Sequence, residues 1–270
     1  MIIIKPYIFL LHIYGMDELN RKILLMLLKD YNSSQRFIAK KLGISPPAVN
    51  YRIDKLLSDG IIRKISLYIN PNFYGKYHGY VAFKNYKNWN GEYIAKFECL
   101  ERTTIYEIES KSIEDLKSKI NSMSEELGTA EIIYIPTQYP YSPSNFDVKL
   151  VSIMKDDPKI ESIQISEKMK VSSKTVRRHI RYLINKNFMR LIPVVDLNKA
   201  GISMFAIFTK NVEIARKLFS EINFREISDN KAGIFVNIAN DMEEIKRYTD
   251  KMREFDKEAE LMVAYSYDFS

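Results

Sequence analysis

Sliding the chain against itself by 127 residues brings "KILLMLLKD" (22–30) over "KLVSIMKDD" (149–157) and "ISPPAVNYRIDKLLSDGIIR" (44–63) over "VSSKTVRRHIRYLINKNFMR" (171–190), with no gap between residues 22 and 63. In the second pair Ile44, Ser45, Val49, Ile53, Leu56, Leu57 and Arg63 meet Val171, Ser172, Val176, Ile180, Leu183, Ile184 and Arg190. What recurs is an apolar pattern and a helix start. The period is far longer than the roughly 20–50 residues of a solenoid repeat, so the chain reads as a duplicated pair of domains.

Each copy predicts three helices. In the first, residues 18–29 carry Leu19, Ile23, Leu24, Met26 and Leu27 at helical spacing. Ser34 is placed to cap a helix over 35–42, and Ser45 one over 46–58 with Pro46 at its first position; Gly43 lies between them. Two short helices joined by a tight turn form a helix-turn-helix, whose second helix enters the DNA major groove. The following "IIRKISLYINP" and "FMRLIPVVDLN" read as extended wings.

The second copy's recognition segment buries Val176, Ile180, Leu183 and Ile184 on one stripe. Lys174, Arg178, Arg181 and Tyr182 then face outward together, with Arg177 and His179 on the flanks. The matching outward residues of the first copy are Pro47, Tyr51, Asp54 and Lys55. The candidate DNA-contacting residues are thus Lys174, Arg177, Arg178, Arg181 and Tyr182, with Asn50, Tyr51, Arg52 and Lys55 in the first copy. Charge follows the same division. Residues 17–64 hold ten basic and five acidic residues and 145–190 eleven and five, whereas 65–144 hold eight and ten and 191–270 eleven and fourteen. A positive excess confined to the helix-turn-helix units is what a phosphate backbone attracts; a uniform lysine excess would imply only solubility.

Behind the second wing the pattern predicts a strand at 203–209, a helix at 212–221, strands at 224–228 and 233–239, a helix at 241–253 and a strand at 260–267. That order is βαββαβ, a ferredoxin-like module. The first copy reads as reduced: a strand at 78–85, a helix near 91–99, a strand at 103–109, a helix at 113–126 and a strand at 130–136, with one strand lost. The fold class expected is α+β. Its divisions are an apolar extension at 1–15, winged helices at 16–71 and 146–197, ferredoxin-like modules at 72–137 and 198–270, and a linker at 138–145 inside "PTQYPYSPSN". The extension "MIIIKPYIFLLHIYG" is too short to span a bilayer and lacks a signal-peptide cleavage site. It is either a misassigned translation start ahead of Met16 or an added strand or helix.

The stretch from "MDELNRKILLMLLKD" through "INPNFYG" (16–75) resembles the N-terminal half of an Lrp/AsnC-type transcriptional regulator, and the βαββαβ pattern resembles that family's regulatory and dimerisation module. The resemblance implies a cytoplasmic protein that binds double-stranded DNA, dimerises through these modules and often takes an amino-acid effector. Carrying both halves twice, one chain would imitate a family dimer, with further pairing of whole chains left open. The family's effector lies by the turn between the module's second and third strands, which reads "SDNKAG" (228–233) here and lacks the usual Tyr-Asp pair. Asp229 and Asn230 are the candidate effector contacts, or ordinary turn formers.

Other classes find less in the residues. A single Cys99 excludes a disulfide framework and a cysteine-based zinc site. His12, His78 and His179 lie far apart, each without a second metal ligand at helical or hairpin spacing. No phosphate loop or nucleophile elbow occurs, and nothing in the sequence calls for a cofactor, a metal or a catalytic residue. Two alternatives remain. The AsnC-like decarboxylases of siroheme metabolism resemble this architecture and bind a tetrapyrrole between paired modules through His and Arg, but "RTTIYEIES" and "NFREISDNKAGIFVN" contain no histidine. The other is a scaffold using degenerate winged helices for protein contacts.

Overall fold

The computed structural model describes residues 16–269 except Tyr86. The extension at 1–15, with both readings of it, lies outside the described residues.

The first copy opens with α1 (Glu18–Lys29), α2 (Gln35–Leu42) and α3 (Pro46–Ser58). Asp17, Ser34 and Ser45 each accept a hydrogen bond from a backbone amide of the first turn, and Gly43 takes the left-handed conformation that the α2–α3 turn requires. The wing β1 (Ile62–Ile69) leads to β2 (Tyr77–Lys84), β3 (Ala95–Cys99), β4 (Thr103–Ser110), α4 (Ile113–Leu127) and β5 (Ala130–Tyr134). The second copy repeats the start with α5 (Asn145–Asp156), α6 (Ser162–Met169), α7 (Ser173–Asn185) and the wing β6 (Met189–Val195). A short α8 (Leu197–Ala200) precedes β7 (Ser203–Thr209), α9 (Val212–Leu218), β8 (Asn223–Ser228), β9 (Gly233–Ala239), α10 (Met242–Arg253) and β10 (Glu260–Phe269). The bounds of α6 and α7 are those of α2 and α3 shifted by the repeat interval, so their side chains can be compared position by position.

The expected helix near 91–99 is corrected. Among the described residues the first module keeps all four strands and has no helix between the first two. Asn88, Asn90 and Gly91 break the helical pattern, and Ala95, Phe97 and Cys99 alternate with Lys96 and Glu98 at the period of a strand. Lys96 Nζ and Glu98 Oε1 pair at 2.7 Å on the opposite face of that strand.

The two wings pair with each other, β1 antiparallel to β6, with Ile65 opposite Pro193. The module strands form one eight-stranded sheet in the order β5-β2-β4-β3-β10-β7-β9-β8. Each half has the ferredoxin-like arrangement, fourth strand, first, third, second. The sheet curls so that its outer face is covered by helices: Val81, Phe83 and Tyr106 pack with α4, and Phe205, Ile207 and Phe235 with α9 and α10. The inner faces share one core that includes Tyr80, Ala82 and Ile105 from the first half and Met204, Val236 and Met262 from the second.

The halves meet differently on their two sides. On one, β10 runs on to pair with β3, placing Tyr267 opposite Phe97 and Ser266 opposite Glu98. On the other, β5 stops at Tyr134, and Pro136 follows where a ladder N–H would be needed. Contact there passes through side chains: Tyr134 Oη donates to Ala232 O at 2.9 Å, and Asp229 Oδ2 accepts from the Thr137 amide and hydroxyl at 3.1 Å each.

The helix-turn-helix units are also docked unequally. The core of the first, with Ile23, Leu24, Leu27 and Leu28, is continuous with the inner sheet core, and α1 packs on β8. Arg190 adds three bonds, donating to Leu28 O, to Lys29 O at 2.9 Å and to Phe224 O at 3.0 Å. The second unit has a core of its own, built on Leu150, Val151, Ile165, Val176 and Leu183, which reaches the first copy through Ile69 and Phe73. The proline-rich segment between the copies is largely exposed yet held: Tyr141 N donates to Asn72 O at 2.7 Å, Gln138 donates to His78 O, and Tyr141 stacks on Phe188 at 4.6 Å.

Candidate nucleic-acid interface

On α7 the capped start at Ser172 and the buried Val176 and Leu183 fix which residues face out. Lys174, Arg177, Arg178 and Arg181 are all exposed, and Tyr182 is 39% exposed. Among the described residues none of Lys174, Arg178 and Arg181 has an ion-pair partner, so three side chains that carry donors only stand together in water. Arg177 folds back on its own helix, donating to Ser173 O at 3.3 Å and Ser173 Oγ at 3.0 Å. His179 turns away: its Nδ1 lies 2.7 Å from Oδ1 of the buried Asp147, and its ring packs on Phe146.

On α3 the same positions carry different chemistry. Tyr51 is 68% exposed. Asn50, Asp54 and Lys55 are also exposed. Gln35 Nε2 donates to Asn50 Oδ1 at 2.6 Å, and Asn50 Nδ2 donates to Asp54 Oδ2 at 3.1 Å, a relay that runs from α2 across α3. Arg52 is not part of the exposed face. It is half-buried and donates to Asp17 Oδ2 and Asn20 Oδ1, both at 2.7 Å, so it braces α3 against α1 as His179 braces α7 against α5.

Asp229 and Asn230 sit in the β8–β9 turn. The Asp229 carboxylate accepts from the amides of Lys231 (2.8 Å) and Ala232 (3.1 Å) as well as from Thr137. Burial works to raise its pKa, but these four bonds hold it below the ordinary carboxylate value. It is a turn former that also fastens the two halves together; Asn230 is exposed beside it.

Sequence reasoning missed a polar cluster between the first wing and the sheet. Glu107, 3% exposed, accepts from Tyr68 Oη at 2.6 Å and lies 2.6 Å from His78 Nδ1. Tyr80 also bonds to it, and the Arg225 guanidinium lies 5.2 Å from the centre of the Tyr68 ring. Burial works against the Glu107 charge, but the bonds from His78 and Tyr68 and the nearby Arg225 keep its carboxyl below the usual range. Burial, and then the Glu107 charge, push the Tyr68 hydroxyl well above its ordinary value. The cluster borders an apolar cavity of about 70 Å³ between the halves, lined also by Phe97, Met204 and Met262. Glu107 shares a strand face with Ile105, and its partners come from the wing, from a neighbouring strand and, as Arg225, from the other half of the molecule, so nothing local in the sequence marks it.

A family model described as a winged helix-turn-helix DNA-binding domain matches this chain twice, at residues 16–63 and 144–188. Both matches run through the helix whose exposed face is described above and end a few residues beyond it. The chain carries a winged helix-turn-helix DNA-binding unit twice. Among curated proteins the chain is similar to the HTH-type transcriptional regulator FL11 of Pyrococcus abyssi, 29% identical over 125 residues, which are 43% of this chain and 82% of that protein. An uncharacterised HTH-type transcriptional regulator of Pyrococcus furiosus is 43% identical over 56 residues, 21% of this chain and 38% of its own length. Of solved structures, the siroheme decarboxylase NirDL is similar over 92% of this chain and 91% of its own, with 15% identity and a TM-score of 0.48. LrpC of B. subtilis is similar over 48% of this chain and 99% of its own, with 20% identity and a TM-score of 0.32. Among the described residues no helix is long and apolar enough to cross a membrane.

Proposed function

We propose that this chain is a sequence-specific, double-stranded-DNA-binding transcriptional regulator in which two joined winged helices stand in for the two protomers of a dimer. One observation carries the reading. The second helix of a helix-turn-helix presents Lys174, Arg178 and Arg181 unpaired on its exposed face. A helix in that position meets base edges at its centre and phosphates at its margins, which assigns Arg178 to a base and Lys174 and Arg181 to phosphates. The pairing of β1 with β6 supports the joined arrangement, because it ties the strand leaving one helix-turn-helix to the strand leaving the other. Fluorescence anisotropy of a labelled duplex, titrated with the full chain at several salt concentrations, tests the proposal. Binding should weaken steeply as salt rises. Failure to bind any duplex at low salt would sink it.

The buried cluster favours a second reading. His78, Glu107, Tyr68 and Arg225 converge between the modules, the place where an AsnC-like decarboxylase holds its tetrapyrrole. Against it, the cavity of about 70 Å³ falls well below the roughly 300 Å³ at which small-molecule sites begin. Adding a tetrapyrrole carboxylate to the protein and following its absorption band separates the readings: a saturable shift abolished by His78→Ala supports the enzyme, and an unchanged band supports the regulator.

A further inference from the structure

The two recognition helices occupy equivalent positions in the repeat, yet they offer DNA different chemistry. Along matched positions, Pro47, Asn50, Tyr51, Asp54 and Lys55 of α3 hold one cation and one carboxylate, whereas Lys174, Arg177, Arg178, Arg181 and Tyr182 of α7 hold four cations. On α3 the Gln35–Asn50–Asp54 relay fixes the Asn50 amide and leaves a carboxylate, an obligate acceptor, at the exposed surface. On α7 the four cationic side chains can only donate.

In the major groove an acceptor is matched by the exocyclic amino group of cytosine or adenine, and an arginine fork by the O6 and N7 acceptors of guanine. An inverted repeat presents the same base edges to both halves of its reader. These two helices cannot both be satisfied by one set of edges. From this we infer that the operator is not a palindrome: it joins two dissimilar half-sites, one guanine-bearing and read by α7, the other presenting amino groups and read by α3. The inference rests on the DNA-binding reading given above and adds the class of target. It also gives the complex a polarity. A homodimer on a palindrome can be turned end for end without change, but this chain has one productive orientation on its site.

Selection from a duplex library with a long randomised window, using the full chain and then single variants, tests this directly. The wild-type motif should have two unlike halves. Arg178→Ala should lower discrimination about 5- to 150-fold at guanine positions of one half and leave the other unchanged. Asp54→Asn should relax the preference for an amino-bearing base in the other half alone. Both side chains are exposed, and circular dichroism confirms that each variant is folded. An inverted-repeat motif, or variants that each alter both halves equally, would overturn the inference while leaving DNA binding intact. Absence of duplex binding at low salt defeats the DNA-binding reading and the inference with it.

Discussion

At the scale of single residues, exposure and partners separate side chains that the sequence places together. Arg178 and Tyr51 occupy the same position on α7 and α3, but only Arg178 carries a bidentate donor. Arg178→Ala should cost about 1–3 kcal/mol of specific binding. Tyr51→Ala should cost less on the same duplex at fixed salt; equal losses would contradict the ranking. Glu107 makes a prediction about pH. Its folded-state carboxyl is held below the unfolded value, so the cluster's stabilisation is complete above the ordinary carboxylate range and is lost as pH falls through the folded-state pKa. Glu107→Gln should cost about 3 kcal/mol at neutral pH by leaving its buried partners short of an acceptor. The variant should also lose less stability than the parent between pH 6 and pH 3. Urea midpoints across that range check both, and parallel curves for the two proteins would deny Glu107 its part in the acid response.

At the scale of elements, α3 and α7 differ in how much phosphate they can neutralise. Asp54→Arg gives α3 the residue that α7 carries as Arg181, and it should steepen the slope of log K against log salt by about 0.9 for each phosphate newly contacted. An unchanged slope would mean that α3 does not approach the backbone at that position. The helices, their caps and the Gly43 turn were legible in the sequence because each is decided within a few residues. Elements fixed by distant partners were harder to read. The strand of Ala95–Cys99 alternates at period 2, but it borders a segment of turn formers that obscures the pattern, and its ladder partner β10 lies at the far end of the chain. Arg52 and Arg177 read as cations on a helix, and only the positions of Asp17, Asn20 and Ser173 show that both guanidinium groups are engaged. The Tyr68–Glu107–His78 cluster was hidden for a related reason, since its members come from three strands and Arg225 reaches it from the opposite half.

At the scale of the whole molecule, the duplication yields unequal halves. The first helix-turn-helix shares its core with the sheet and is fastened by Arg190, while the more cationic second unit keeps a separate core and leans on the first copy through Ile69 and Phe73. Local opening follows such differences in burial. Amides of α5–α7 should therefore exchange with solvent faster than those of α1–α3 in native-state hydrogen exchange of the free protein, and the reverse order would contradict this account of the docking. The β1–β6 and β3–β10 ladders carry a different consequence, because both close within a single chain. Their formation is unimolecular, so dilution does not undo the union of the halves. On the proposed reading, in which one such chain fills a DNA site, occupancy follows the first power of protein concentration where a dissociating dimer would follow the square, and neither half can be traded for that of a related protein.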